Sequence, residues 1–252
     1  VSETGSVVVS FKISNPLRGD GTIKVTFPKS LGAGFDLTGV GLNSTTSSNI
    51  DGSLFTSRNT TTNVVTIARN GGLLLTNTST LYQLTIANVK NPDVVGSTGA
   101  YSIQTTDATD VVIDEDTAVL ADTTIAGALT TPIDVLPASF TAGVTGNVTV
   151  SFKLDHALPA TGKILVTFPA GFSLTAVQAT GASSTLINGG LTVSVGGQTV
   201  TVSRSGSGSA INGGTPINDL VIANVRNPIT SGSGGTYAIA TANSSTLVID
   251  QD

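Results

Sequence analysis

The chain has one histidine, His156, and it follows an aspartate, Asp155, in the stretch DHALPATG. A His–Asp pair is the acid–base half of a nucleophilic triad, and the missing member would be a serine presented on a recognisable elbow. No serine is placed that way here, and neighbours in an extended chain point to opposite sides. His156 is therefore expected in a solvated loop, and no catalytic residue is assigned. The Gly/Ser tract SRSGSGSAINGG (203–214) has neither the lysine nor the following helix of a phosphate cradle, so it reads as a loop.

Carboxylates suggest a different chemistry. Of sixteen Asp and Glu, six fall between 107 and 122: Asp107, Asp110, Asp114, Glu115, Asp116 and Asp122. Two more, Asp250 and Asp252, end the sequence. Hard oxygen donors gathered at a junction suit Ca²⁺, and Asp114, Glu115, Asp116, Asp250 and Asp252 are the candidate ligands. The competing reading is that charge at a strand end keeps that edge unpaired. Five N-glycosylation sequons begin at Asn43, Asn59, Asn77, Asn147 and Asn243. In a chain this rich in Ser and Thr the count alone carries little weight.

These residues sit within a long internal repeat. IANVKNP (86–92) returns as IANVRNP (222–228), and TGSVVVSFK (4–12) as TGNVTVSFK (145–153). TIKVTFP (22–28) matches KILVTFP (163–169), VTIAR (65–69) matches VTVSR (200–204), and VVIDED (111–116) matches LVIDQD (247–252). The offset stays between 135 and 141, drifting only in Gly/Ser/Thr-rich stretches. Cores kept and loops resized is how tandem domains diverge. The expected division is 1–118 and 119–252, joined through residues of about 117 to 130.

Within each copy the apolar residues alternate. Val7, Val9 and Phe11 share one face, as do Ile23, Val25 and Phe27; Val148, Val150 and Phe152 repeat the pattern. Period two is the signature of half-buried strands, and LTVSVGGQTVTVSR (191–204) reads as a hairpin. No helical window is sustained. Short strands with frequent turn signals predict an all-β fold: two tandem Ig-like, Greek-key β-sandwiches. In IANVKNP the apolar phase slips by one residue at Asn88, which predicts a β-bulge whose unpaired backbone groups the Asn side chain could satisfy.

Composition excludes several partners. Net charge is −5 with only 11 Lys and Arg, which argues against a nucleic-acid backbone. No apolar run reaches membrane-spanning length, so no membrane insertion is expected, and the absence of cysteine leaves the redox compartment unread. Trp is absent and there are three Tyr, a poor stock for stacking on sugar rings. Tyr101 and Tyr237 occupy matching positions and are expected in the core.

Thr/Val/Gly-rich, Cys-free tandem repeats with a recurrent VTFPAGF-type strand resemble the repeat domains of large microbial surface proteins: adhesins, sheaths and extracellular filaments. The resemblance implies an extracellular, cell-surface structural module, expected to be a glycoprotein and not an enzyme. It would need no cofactor beyond Ca²⁺ and would self-associate with neighbouring copies. The alternative is a carbohydrate-binding sandwich with a glycan ligand. Some adhesin sandwiches carry Lys–Asn crosslinks, but Lys12 and Lys153 have the outward phase. One feature separates the copies. Copy two is preceded by TTPIDVLPASFTAG, where Ile133, Val135 and Phe140 read as a first strand broken at Pro137. Val1 aligns with Ala142, so copy one has no counterpart, and a strand donated from elsewhere is expected to complete it.

Overall fold

A computed structural model describes residues 1–76, 78–232 and 234–252. Among them the secondary structure is β throughout, in two compact units, Val1–Thr124 and Ile125–Asp252.

The first unit holds β1 (Thr4–Phe11), β2 (Thr22–Thr26), β3 (Thr45–Thr46), β4 (Ser53–Asn59), β5 (Val64–Asn70), β6 (Tyr82–Lys90), β7 (Gly96–Ser97), β8 (Tyr101–Thr106), β9 (Val112–Val119) and β10 (Thr123–Thr124). The second holds β11 (Gly127–Ala128), β12 (Thr130–Pro137), β13 (Thr145–Lys153), β14 (Lys163–Thr167), β15 (Ala182–Ser183), β16 (Leu191–Gly196), β17 (Thr199–Arg204), β18 (Pro216–Arg226), β19 (Ala238–Ala242) and β20 (Val248–Gln251). Residues 117–130, expected as a linker, instead carry the end of β9 together with β10 and β11.

In the second unit a six-stranded sheet, β11-β20-β19-β14-β17-β16, lies against a four-stranded one, β12-β13-β18-β15. Alternation explains the packing. Val148, Val150 and Phe152 of one sheet and Ile164, Val166, Val200 and Val202 of the other belong to a single buried core. The first unit repeats this with β9-β8-β2-β5-β4 and β1-β6-β3, and adds a small β10-β7 pair. Tyr101 and Tyr237 flank these cores, each within 6 Å of two phenylalanine rings: Phe27 and Phe35 at 5.8 and 5.7 Å, Phe168 and Phe172 both at 5.6 Å. Burial pushes the Tyr101 hydroxyl up to about 12 while it donates to Asp122.

The bulge falls where the phase slip placed it. Gly5 pairs Val89 and Val7 pairs Ile86, leaving Ala87 and Asn88 opposite Ser6; Gly146/Val225 and Val148/Ile222 bracket Asn224 in the same way. What the bulge asks of asparagine is conformation. Asn88 and Asn224 have φ of 62° and 64°, in the left-handed region that Asn tolerates and β-branched residues do not. Asn224→Val is therefore expected to destabilise the second unit by about 1–2 kcal/mol, and Asn224→Gly by under about 0.5. Denaturant unfolding of both variants checks this; equal losses would remove the conformational explanation.

Candidate functional site: an open cleft in the first unit

The segment Gly127–Pro137 closes the second unit by serving both of its sheets. β11 runs parallel to β20, pairing Gly127 with Asp250 and Ala128 with Gln251. β12 then runs antiparallel to β13, pairing Thr130 with Lys153, Val135 with Val150 and Pro137 with Val148. Between these anchors Leu129 and Val135 drop into the core, 4% and 7% exposed. Each such burial contributes about 1.5–3 kcal/mol.

The expected donor-like residues divide accordingly. Val135 is the buried one. Ile133 sits at a register irregularity between Thr130 and Asp134 and is 38% exposed. Phe140 is a correction: it lies outside the strand and is 80% exposed. Pro137 ends β12 and is itself buried, so the strand stops there and does not resume. Leu129 was missed, because one apolar residue before TTP shows no alternation to read.

Among the described residues, no segment covers the first unit in this way. β1 pairs β6, and among the described residues nothing pairs its other edge; β9 likewise has β8 on one side only. Val7 and Val9 are half-buried, while their counterparts Val148 and Val150 are 1% and 0% exposed. A cavity of about 230 Å³ runs along β1, lined by Val7, Val9, Phe27, Tyr101 and Ile103 among others. A second, also about 230 Å³, lies beside Phe11, Ile103, Asp114 and Glu115. Ile103 lines both. Interiors rarely leave voids beyond the size of a water molecule, and these two adjoin Val9 and Glu115, the repeat counterparts of Val150 and Gln251, which β12 and β11 pair in the other unit.

The carboxylates serve loop geometry. Buried Asp250 accepts the backbone N–H groups of Asp155 and His156 at 3.3 and 3.0 Å, and its Oδ1 lies 2.8 Å from His156 Nδ1. Asp114 repeats this, accepting from Ser14 N and Asn15 N at 3.2 and 3.1 Å and from Asn15 Nδ2 at 2.8 Å. Each Asp thus ties the loop after β1 or β13 to the last strand. His156 is not the solvated residue expected: its side chain is 11% exposed, and Asp155 Oδ2 lies 3.4 Å from Nδ1, so the neighbours converge. The loop turns there instead of running extended.

Of the five expected calcium ligands, Asp114, Glu115 and Asp116 lie along β9 in the first unit, and Asp250 and Asp252 lie at the end of the second. Glu115 accepts from Gln104 Nε2, Asp116 from Ala118 N and Asp252 from Ile239 N. One group does place three ligand-type atoms within 4.8 Å, namely Asp155, His156 and Asp250. Its atoms already hydrogen-bond one another or the backbone. Of the sequons, Asn43, Asn59 and Asn147 are exposed and Asn243 is half-buried, its Oδ1 accepting Ser245 N and Leu247 N; Asn77 lies outside the described residues.

Two further residues were missed. Arg69 and Arg204 are buried, at 3% and 4% exposure, at matching ends of β5 and β17. Arg204 donates to the carbonyls of Leu158, Pro159 and Ser209 and to Asn188 Oδ1. Arg69 bonds Leu17, Arg18 and Leu73 carbonyls and pairs with Asp51 at 3.1 Å. Burial lowers both guanidinium pKa values, against the pull of Asp51 in the first unit. A signal existed: in Val65, Ile67, Arg69 and in Val200, Val202, Arg204, period two places the charge inward in both copies.

No protein-family model matches the chain, and no curated protein matches its sequence. Solved structures similar to it include a protein of Corynebacterium diphtheriae described as membrane-anchored, with 12% identity and a TM-score of 0.31 over 98% of this chain and 86% of that one. A serine-rich repeat adhesion glycoprotein of Streptococcus agalactiae is similar at 11% identity and a TM-score of 0.22, with the same coverage of 98% and 86%. Likeness at these TM-scores carries no argument about function.

Proposed function

We propose that this chain is an extracellular structural module of a surface or filament protein, and that it joins a neighbour head-to-tail by accepting a strand into its first unit. One observation carries the reading: the cleft beside β1 is open, and the equivalent place in the second unit is filled by β12. An uncovered sheet edge is a template for another strand. Strand addition supplies main-chain hydrogen bonds for affinity and side-chain pockets for register. Acceptor and donor are different surfaces, so the contact need not close on itself and repeats into a fibre. The scarcity of charge and the lack of cysteine suit a wall or filament component. Tyr101 and Tyr237, on which a glycan platform would draw, pack against phenylalanines instead.

Asp252 aligns with Asp116, so a chain extended beyond Asp252 by a copy of residues 117–141 carries both donor and acceptor. That chain is expected to form filaments in negative-stain microscopy. A copy of residues 125–141 placed ahead of Val1 is expected to fill the cleft and abolish them. An extended chain that stays monomeric, with β1 amides exchanging freely, would overturn the reading.

A further inference from the structure

Among the described residues, two strand edges of the first unit lie uncovered, and one continuous segment covers the matching two edges of the second unit. The repeat transfers the register residue by residue. Gly127 and Ala128 pair Asp250 and Gln251, whose counterparts are Asp114 and Glu115. Thr130, Val135 and Pro137 pair Lys153, Val150 and Val148, whose counterparts are Lys12, Val9 and Val7. The matched positions share their local bonding. Asp250 N donates to Thr241 Oγ1 and Asp114 N to Thr105 Oγ1, both at 3.1 Å.

The glycine is required by close approach. A Cβ at position 127 would lie 2.3 Å from Asp250 Oδ1, 2.4 Å from His156 Nδ1 and 2.6 Å from Asp155 Oδ2. In the first unit Asp114 and Asn15 build the same carboxylate-capped turn, and Asp114 remains half-buried where Asp250 is fully covered. The cavity beside Phe11 and Glu115 is where the counterpart of Leu129 would lie; the cavity along β1 is where that of Val135 would lie.

We propose that one extended segment of a neighbouring repeat completes the first unit across both edges. A glycine sits on the Asp114 carboxylate and runs parallel to β9. An aliphatic side chain two residues later enters the cavity beside Phe11. A second, eight residues after the glycine, pairs with Val9 antiparallel to β1. This rests on the strand-accepting reading and specifies what that strand must be.

The test adds a labelled peptide of residues 125–138, IAGALTTPIDVLPA, to the intact chain, reading affinity by anisotropy and edge protection by amide exchange. The native peptide is expected to protect β1 and β9 together. Gly127→Val in the peptide is expected to weaken binding by about tenfold to a hundredfold, the penalty of overpacking a close contact. A peptide beginning at Thr130 is expected to protect β1 alone, and more weakly. If Gly127→Val binds as tightly as the native peptide and β9 stays unprotected, the two-edge ligand is wrong while strand acceptance at β1 survives. If no peptide binds, or if the Val9→Asp chain binds as well as the native one, both fail.

Discussion

Val150→Asp is expected to destabilise the second unit by about 4 kcal/mol, whereas Val9→Asp, the matching change, is expected to cost the first unit about 1 kcal/mol or less. The two valines occupy equivalent positions on β13 and β1 and differ chiefly in what covers them. Val150 is 0% exposed between β12 and β18, so an aspartate there loses the transfer energy of the valine and strands a carboxylate without a partner. Val9 lines an open cavity, where a carboxylate keeps its water. Denaturant unfolding with amide exchange resolved for each unit measures both. Equal losses would mean that the cleft is closed in solution. The same Val9→Asp chain is expected to lose every trace of strand capture, because the charge then faces an incoming apolar side chain. A small stability effect beside a large assembly effect is what distinguishes an interface residue from a core residue.

Arg204→Met should destabilise the second unit by about 3 kcal/mol. Methionine replaces the apolar stem, but the carbonyls of Leu158, Pro159 and Ser209 lose their donor inside the fold. Each buried acceptor left unsatisfied costs about 1–3 kcal/mol, and the offset is the relief of a guanidinium that burial disfavours. Arg204→Lys is expected to recover less than half of the loss, since a point ammonium cannot span acceptors that a planar fork reaches together. The check is the same unit-resolved unfolding, with exchange at the loops carrying Leu158, Asn188 and Ser209. A loss under about 1 kcal/mol would show that water replaces the guanidinium at those carbonyls.

The amino-acid sequence by itself determined the repeated strands, their inward faces, the hairpin at 191–204 and the bulge at Asn88 and Asn224. All of these rest on signals confined to neighbouring residues. A period of two selects a strand and its buried side, and a one-residue slip or a Gly-Gly pair marks where the ladder bends. Tertiary structure decided the rest. That Asp114 and Asp250 cap turns depends on partners as distant as Ser14, 100 residues from Asp114. His156 is enclosed because the loop after β13 folds onto β20. Gly127 matters only because its Cα lies against that pair, and Leu129 only because one segment crosses from one sheet edge to the other. Those relations come from which edges lie side by side, and a local pattern carries no record of the strand that will arrive beside it.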